Sequence, residues 1–82
     1  MREEASEWLR IAEHDIGSAA SLLRDQFWPG AAYFCQQAVE KLLKATLVTQ
    51  EKQTPKTHDL LELADLGGIE LTSEQRTFLT RL

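Results

Sequence analysis

Apolar residues recur at helical spacing in four segments of the chain, and this pattern predicts an all-α fold. The first two segments are long and are separated by a short connection, so they are expected to pack antiparallel. We therefore predict one domain over residues 1–82, an antiparallel up-down helical bundle of two long helices and two shorter ones. The predicted helices cover residues 3–24, 29–50, 58–66 and 73–82.

The second predicted helix is the element around which the others pack. Its apolar side covers about half of its circumference, so at least two other segments must bury it. The residues of that side are Ala31, Ala32, Phe34, Cys35, Ala38, Val39, Leu42, Leu43, Ala45 and Thr46. A narrower polar strip lies opposite and is expected to face water or a partner. It consists of Tyr33, Gln36, Gln37, Glu40, Lys41 and Lys44.

Turn and capping residues mark the ends of these helices. Pro29 suits the first turn of the second helix, and Thr57 is a fair N-cap for the third. Gly67 suits the left-handed conformation that ends the third helix. Thr72 and Gln75 have the spacing of a capping box, which predicts the start of the fourth helix.

Several apolar side chains are expected to lack cover at the two ends of the bundle. Phe27 and Trp28 lie in the first connection, where they either cover the end of the core or meet a partner; the first role is favoured. The last helix reaches Leu82 with its apolar positions uncovered. We expect that this helix is truncated and that the C-terminal part of a longer domain is missing, or that another chain covers it. A dimer would stabilise so short a chain.

Composition and charge exclude several classes of protein. No apolar run approaches the ~20 residues that cross a bilayer, and the acidic N-terminus does not resemble a signal peptide, which predicts a cytoplasmic protein. A net charge of -4 argues against a general nucleic-acid coat. Cys35 is the single cysteine and cannot form an internal disulfide. We expect a buried structural thiol, no metal site and no cofactor.

Lysines near the end of the second helix are an exception to the acidic charge. Lys41, Lys44, Lys52 and Lys56 either complement the C-terminal dipole of that helix or form a phosphate-binding edge. His58 follows them in the sequence. It is either a hydrogen-bonded structural histidine over the central helix or a ligand, and the spacing favours the structural role.

The polar strip supplies most of the candidate site. Its amides and charges suit an interface with a partner, although pairs four residues apart, such as Glu40 with Lys44, are also typical of an exposed helix face. Tyr33 favours contact because tyrosine offers both apolar area and a hydroxyl. The candidate ligand- or partner-binding residues are Tyr33, Gln37, Glu40, Lys41, Lys44 and His58.

No catalytic residues are predicted. Arg10 and His14 are neighbours on the polar face of the first helix, which invites interpretation as an acid/base pair. With no nucleophile and no apolar wall nearby, His14 is better interpreted as a solvated side chain.

Three blocks of the sequence resemble the HEPN family, the nucleotide-binding helical domains of prokaryotes and higher eukaryotes, in its small prokaryotic form. The first block is Trp8 with Ala12, His14 and Asp15; the second is AAYFCQQAVEKLLKA over residues 31–45; the third is THDL over residues 57–60. The resemblance implies a helical bundle that commonly dimerises. It also implies a frequent association with a minimal nucleotidyltransferase, as one half of a toxin–antitoxin pair.

Many members of the wider family are metal-independent ribonucleases, with an Arg and a His separated by four to six residues on a late helix. Arg10 and His14 have three residues between them and lie on the first helix, so that site does not carry over. The favoured hypothesis is a HEPN-type dimerising module that partners a minimal nucleotidyltransferase and holds a nucleotide or RNA near Lys41, Lys44 and His58. The alternatives are a ribonuclease whose active site lies outside this chain and a structural scaffold without ligand.

Overall fold

A computed structural model describes residues 2–82, and within that range the chain folds into four helices. They are α1 (Glu3–Arg24), α2 (Trp28–Thr49), α3 (Leu60–Leu66) and α4 (Ser73–Arg81). α1 and α2 make the most extensive contact; α3 packs on α2, and α4 packs on α3. The short link between α1 and α2 makes them antiparallel, and the predicted all-α architecture is confirmed. None of the helices in residues 2–82 combines the length and the apolar character that a membrane span requires.

Alanines spaced seven residues apart form the seam between α1 and α2. A strict seven-residue spacing keeps one narrow stripe of a helix facing its neighbour, and small side chains allow close approach of the two backbones. The buried alanines are Ala5, Ala12 and Ala19 of α1 and Ala31, Ala38 and Ala45 of α2. The buried alanines thus allow the two longest helices to approach closely along most of their length.

A second apolar cluster lies where the end of α2 meets α3. Leu47 of α2 and Leu63 of α3 are both fully buried, and Val48 and Leu60 are nearly so. Neither Leu47 nor Val48 belongs to the predicted apolar side of α2. Their burial fixes the short helix α3 against the C-terminal half of α2.

The predicted orientation of α2 is wrong in part. Ala32, Cys35 and Leu42, which were expected in the core, are exposed, whereas Glu40 and Lys44 of the polar strip are buried. α1 packs on the alanine stripe of α2, and that stripe lies at one edge of the predicted apolar side. The polar strip is therefore turned inward, and Cys35 is not a buried thiol.

The two aromatic residues of the first connection are also placed differently from the prediction. Phe27 is 59% exposed and Trp28 is 57% exposed, so they do not cover the end of the core. The small buried side chains of Ala19 and Ala31 close the seam at this end. The two large rings consequently lie outside it.

α3 ends at Leu66 as predicted, but it starts two residues later than predicted and its left-handed glycine is the second of the pair. α3 starts at Leu60 because the Asp59 side chain accepts hydrogen bonds from the backbone N–H groups of Leu61 and Glu62. The Thr57 hydroxyl instead accepts a hydrogen bond from the backbone N–H of Asp59. Gly68 has the positive φ of 68°, not Gly67, because the left-handed residue is the second one after the helix.

Side chains from neighbouring elements satisfy the exposed carbonyl groups at the end of α3. Gln50 Nε2 donates to the carbonyl of Gly67 at 2.9 Å, and Lys52 Nζ donates to the carbonyl of Leu66 at 2.7 Å. The predicted capping box of α4, formed by Thr72 and Gln75, is confirmed. These contacts hold α3 firmly, whereas α4 buries no residue.

Two glycines give a matched test of this backbone. We expect Gly17→Ala to stabilise the fold by about 1 kcal/mol, because alanine favours the interior of α1 and its Cβ would meet no atom within 4 Å. Gly68→Ala should destabilise by about 1 kcal/mol, because a Cβ is unfavourable at positive φ. Thermal unfolding should show Tm shifts of opposite sign, roughly 4–8 °C each. Shifts of the same sign would contradict the assigned backbone.

Candidate functional site

A buried ionic cluster centred on Glu40 forms the candidate site. Glu40 lies in the middle of α2 and is 1% exposed. Its Oε1 accepts a hydrogen bond from His58 Nδ1 at 2.8 Å, and its Oε2 accepts one from Lys44 Nζ at 3.0 Å. Lys41 Nζ lies 3.7 Å from the same Oε2. Because an unpaired buried carboxylate is very unfavourable, these partners are what allows Glu40 to lie inside.

Lys44 extends the cluster from α2 to α1. Its ammonium group lies 5.6 Å from the centre of the Trp8 ring, within the range of a cation–π interaction. The Lys44 side chain is only 8% exposed, so this attraction is weakly screened by water. The Trp8 Nε1 atom is buried and has no hydrogen-bond partner in the described part of the chain. Glu40 and Lys44 together connect α1, α2 and the segment before α3.

The environment of Glu40 keeps its carboxyl group ionised. Burial alone raises the pKa of Glu40, because it disfavours the charged form. Hydrogen bonds from His58 and Lys44 and the charges of Lys41 and Lys44 act in the opposite direction and prevail, so the pKa lies below its ordinary value. Since an ionised carboxylate only accepts hydrogen bonds, His58 Nδ1 is the donor, and Nε2 has no hydrogen-bond partner among residues 2–82.

A row of side-chain hydrogen bonds continues the cluster along α2. Lys41 Nζ donates to Gln37 Oε1 at 3.0 Å, and Gln37 Nε2 donates to Gln36 Oε1 at 2.9 Å. These three side chains belong to residues of intermediate burial. The polar strip is therefore hydrogen-bonded within itself and only partly open to solvent.

The structure brings together all of the predicted site residues except Tyr33. The connected residues are Gln37, Glu40, Lys41, Lys44 and His58. Tyr33 lies apart, 57% exposed, with its ring edge-on to Phe34 at 5.1 Å between centroids. The expectation that the strip is exposed is wrong for Glu40 and Lys44, because their charges pair with each other inside the bundle. Binding of a ligand or partner by these residues stays a prediction.

His58 is the most accessible member of the cluster. Its side chain is 75% exposed, yet its bond to Glu40 attaches it to the central helix as expected of a structural histidine. It borders a hollow of about 340 Å³ that Gln36, Asp59 and Leu79 also line. An imidazole fixed through one nitrogen and open at the other can bind a ligand or exchange a proton.

Arg10 and His14, which the sequence suggested as an acid/base pair, are not hydrogen-bonded to each other. Arg10 Nε donates to Glu7 Oε2 at 3.1 Å rather than to His14. His14 is exposed on α1, as expected of a solvated side chain. The sequence did not reveal that the Trp8 ring would lie against Lys44. It also did not reveal that Glu40 would be the hydrogen-bond partner of His58. The seven-residue spacing of the alanines is the sequence signal that could have predicted these contacts, because it places the polar strip of α2 beside α1.

Removal of the Glu40 charge should strongly lower the free energy of unfolding. We expect Glu40→Gln to lower the free energy of unfolding at pH 7 by about 3 kcal/mol, because Lys44 would remain buried without its carboxylate. Urea unfolding followed by circular dichroism measures this. Glu13→Gln, on the exposed side of α1, is the matched control and should change stability by less than about 0.5 kcal/mol. Equal effects of the two substitutions would contradict the assigned role of Glu40.

Wild type and Glu40→Gln should also differ in how their stability responds to acid. The lowered pKa of Glu40 means that its contribution is present above the ordinary carboxyl value of 4.5 and is lost as the pH falls through the lower folded value. The stability difference between wild type and Glu40→Gln should therefore narrow below pH 4.5. A difference that stays constant with pH would show that the carboxylate charge is not what matters.

Comparison with known proteins matches nearly the whole chain to one family. The model of the HEPN domain matches residues 5–82, which include all the members of the ionic cluster. No curated protein and no solved structure matches the chain. The four helices of residues 2–82 agree with the helical fold that the resemblance implied. The chain belongs to the HEPN domain family.

Proposed function

We propose that this HEPN-family chain is an assembly module that dimerises and partners a minimal nucleotidyltransferase, as one half of a toxin–antitoxin-like pair. The observation that carries the assembly role is the open apolar side of α2. Ala32, Cys35 and Leu42 are exposed there, although their side of the helix is the more apolar one. The nucleotidyltransferase as partner follows from the family resemblance alone.

A groove of about 480 Å³ continues this open surface toward α3 and α4. Its apolar lining consists of Val39, Leu43, Ala64, Leu71, Phe78 and Leu79, with Glu74 and Gln75 beside them. Phe78 is 60% exposed. Contiguous apolar surface bordered by polar residues is typical of a protein interface. The groove therefore supports association with another protein.

The arrangement of charged groups favours assembly over ribonuclease activity. Glu40 and Lys44 neutralise each other inside the bundle, and Lys52 caps α3. The Arg and His spacing of the family ribonucleases is absent from the sequence. The described residues thus offer a surface for contact and no assembled pair of nucleophile and base.

Two phenylalanines of equal exposure test the assembly role. We expect Phe78→Ser to weaken self-association at least tenfold, because Phe78 lines the groove. Phe27→Ser is the matched control, since Phe27 is 59% exposed but lies in the link between α1 and α2. Sedimentation over a range of protein concentrations measures association, and circular dichroism checks folding.

The outcomes separate three cases. Loss of association in Phe78→Ser alone supports the proposal. Loss in Phe27→Ser alone would move the interface to the aromatic link. A wild type that stays monomeric and does not bind a minimal nucleotidyltransferase in a pull-down would reject the assembly role.

Nucleotide or RNA binding at His58 is a second proposal. The exposed imidazole is held at Nδ1 by Glu40, so in the form of the ring that carries a hydrogen on both nitrogens, Nε2 can donate a hydrogen bond to a phosphate oxygen. We expect titration with ATP or a short RNA to shift the amide signals of residues 52–58 in a nuclear magnetic resonance spectrum. His58→Ala should abolish the shifts, and His14→Ala on α1 should leave them unchanged. Silence of these signals at millimolar ligand would reject this site.

A further inference from the structure

We propose that α4 is the dimer contact and that it packs antiparallel against α4 of a second copy, about a two-fold axis near Thr77 and Phe78. The inference rests on the proposed dimerisation and adds the surface and the orientation. Three observations support it: no residue of α4 is fully buried in its own chain, the charges of α4 are ordered, and its apolar residues Phe78 and Leu79 border the open groove.

α4 has little to stabilise it within one chain. It has nine residues, and none of them is buried. Isolated helices shorter than about 12–15 residues are marginal in water, so such a helix depends on packing. Its capping box stabilises only its own first turn, and an ion pair between Arg76 and Asp65 at 2.8 Å ties it to α3. A second helix packed on its open side would supply the missing contact.

The open side of α4 carries its charges in a self-complementary order. Glu74 near the start, Phe78 in the middle and Arg81 at the end line one hollow of about 340 Å³. Residues seven positions apart lie on the same face of a helix, so this is one stripe: negative, apolar, positive. Within residues 2–82, neither Glu74 nor Arg81 takes part in an ion pair.

A two-fold axis matches this stripe to itself. In an antiparallel pair of α4 helices, Glu74 of each copy lies opposite Arg81 of the other, and the two Phe78 rings meet near the axis. A parallel pair would instead place like charges together. Because an isologous contact requires a self-complementary surface, the order of charges identifies a second copy as the partner.

The same contact closes the apolar groove. Phe78 and Glu74 line both the hollow on α4 and the groove that includes Val39 and Leu43. A helix laid on the α4 stripe therefore borders the groove as well, and burial of Phe78 extends onto the open side of α2. This apolar area gives the contact strength, and the charges give it direction.

Charge reversal tests both the surface and the orientation. Glu74→Arg and Arg81→Glu should each weaken the dimer about tenfold at low ionic strength, because each creates two like-charge contacts across the axis. The double variant, with both reversals, should return to within about threefold of wild type. An equimolar mixture of the two single variants should form a heterodimer tighter than either homodimer. Sedimentation equilibrium measures all four, with Arg24→Glu in α1 as the control.

The double variant also separates pairing from effects on α4 itself. Glu74 and Arg81 both favour the helix dipole, so reversing both should destabilise α4 more than reversing one. If each reversal acted only through the helix, the double variant would be the weakest dimer. Recovery of dimerisation in the double variant therefore supports the α4 contact. A dimer still weaker than those of the single variants would overturn the proposal.

A crosslink gives a second readout that does not depend on charge. In a Cys35→Ser background, Thr77→Cys should form a disulfide-linked dimer on mild oxidation, because residue 77 lies near the axis. Ser21→Cys on exposed α1 is the control and should not crosslink at the same protein concentration. A dimeric wild type that neither crosslinks nor responds to charge reversal would reject the α4 contact and leave the proposed dimerisation intact. A monomeric wild type would reject both.

Discussion

A carboxylate placed inside a protein must be paired, and in this chain the pairing of Glu40 sets the positions of the elements around α2. Lys44 approaches from one turn along the helix, and His58 approaches from the segment before α3. Lys44 in turn lies over the ring of Trp8 on α1. The attraction between Glu40 and Lys44 is strong because water is largely excluded from both, and removal of either one would leave the other buried and uncompensated.

This pairing is coupled to the rotation of α2. The alanine stripe and the Glu40 cluster together face the interior, so the helix turns its more apolar side partly outward. α2 therefore holds a neutralised polar strip inside the protein and leaves apolar side chains exposed outside, where the rest of residues 2–82 does not cover them. In a small domain, such a surface is usually completed by another protein surface. The interior ion pairs and the proposed assembly are thus two consequences of one orientation.

The two functional proposals use different parts of the molecule. The proposed assembly uses the apolar groove together with α4, a helix in which no residue is buried. Phosphate binding uses His58, the one strongly exposed member of the ionic cluster. Both surfaces border Leu79, which lines the groove and also the hollow beside His58. A partner seated in the groove would therefore lie close to the hollow beside His58.

The sequence by itself determined the helical class, the extent of α1 and the capping box of α4, because these depend on local periodicity and on hydrogen bonds between near neighbours. It also singled out most of the cluster residues. Only the tertiary structure decided that Glu40 and Lys44 lie inside while Cys35 and Leu42 lie outside. Hydrophobic patterning assumes that polar strips face water. Here Trp8 and His58, which are remote in sequence, supply the partners that make burial of the charges favourable.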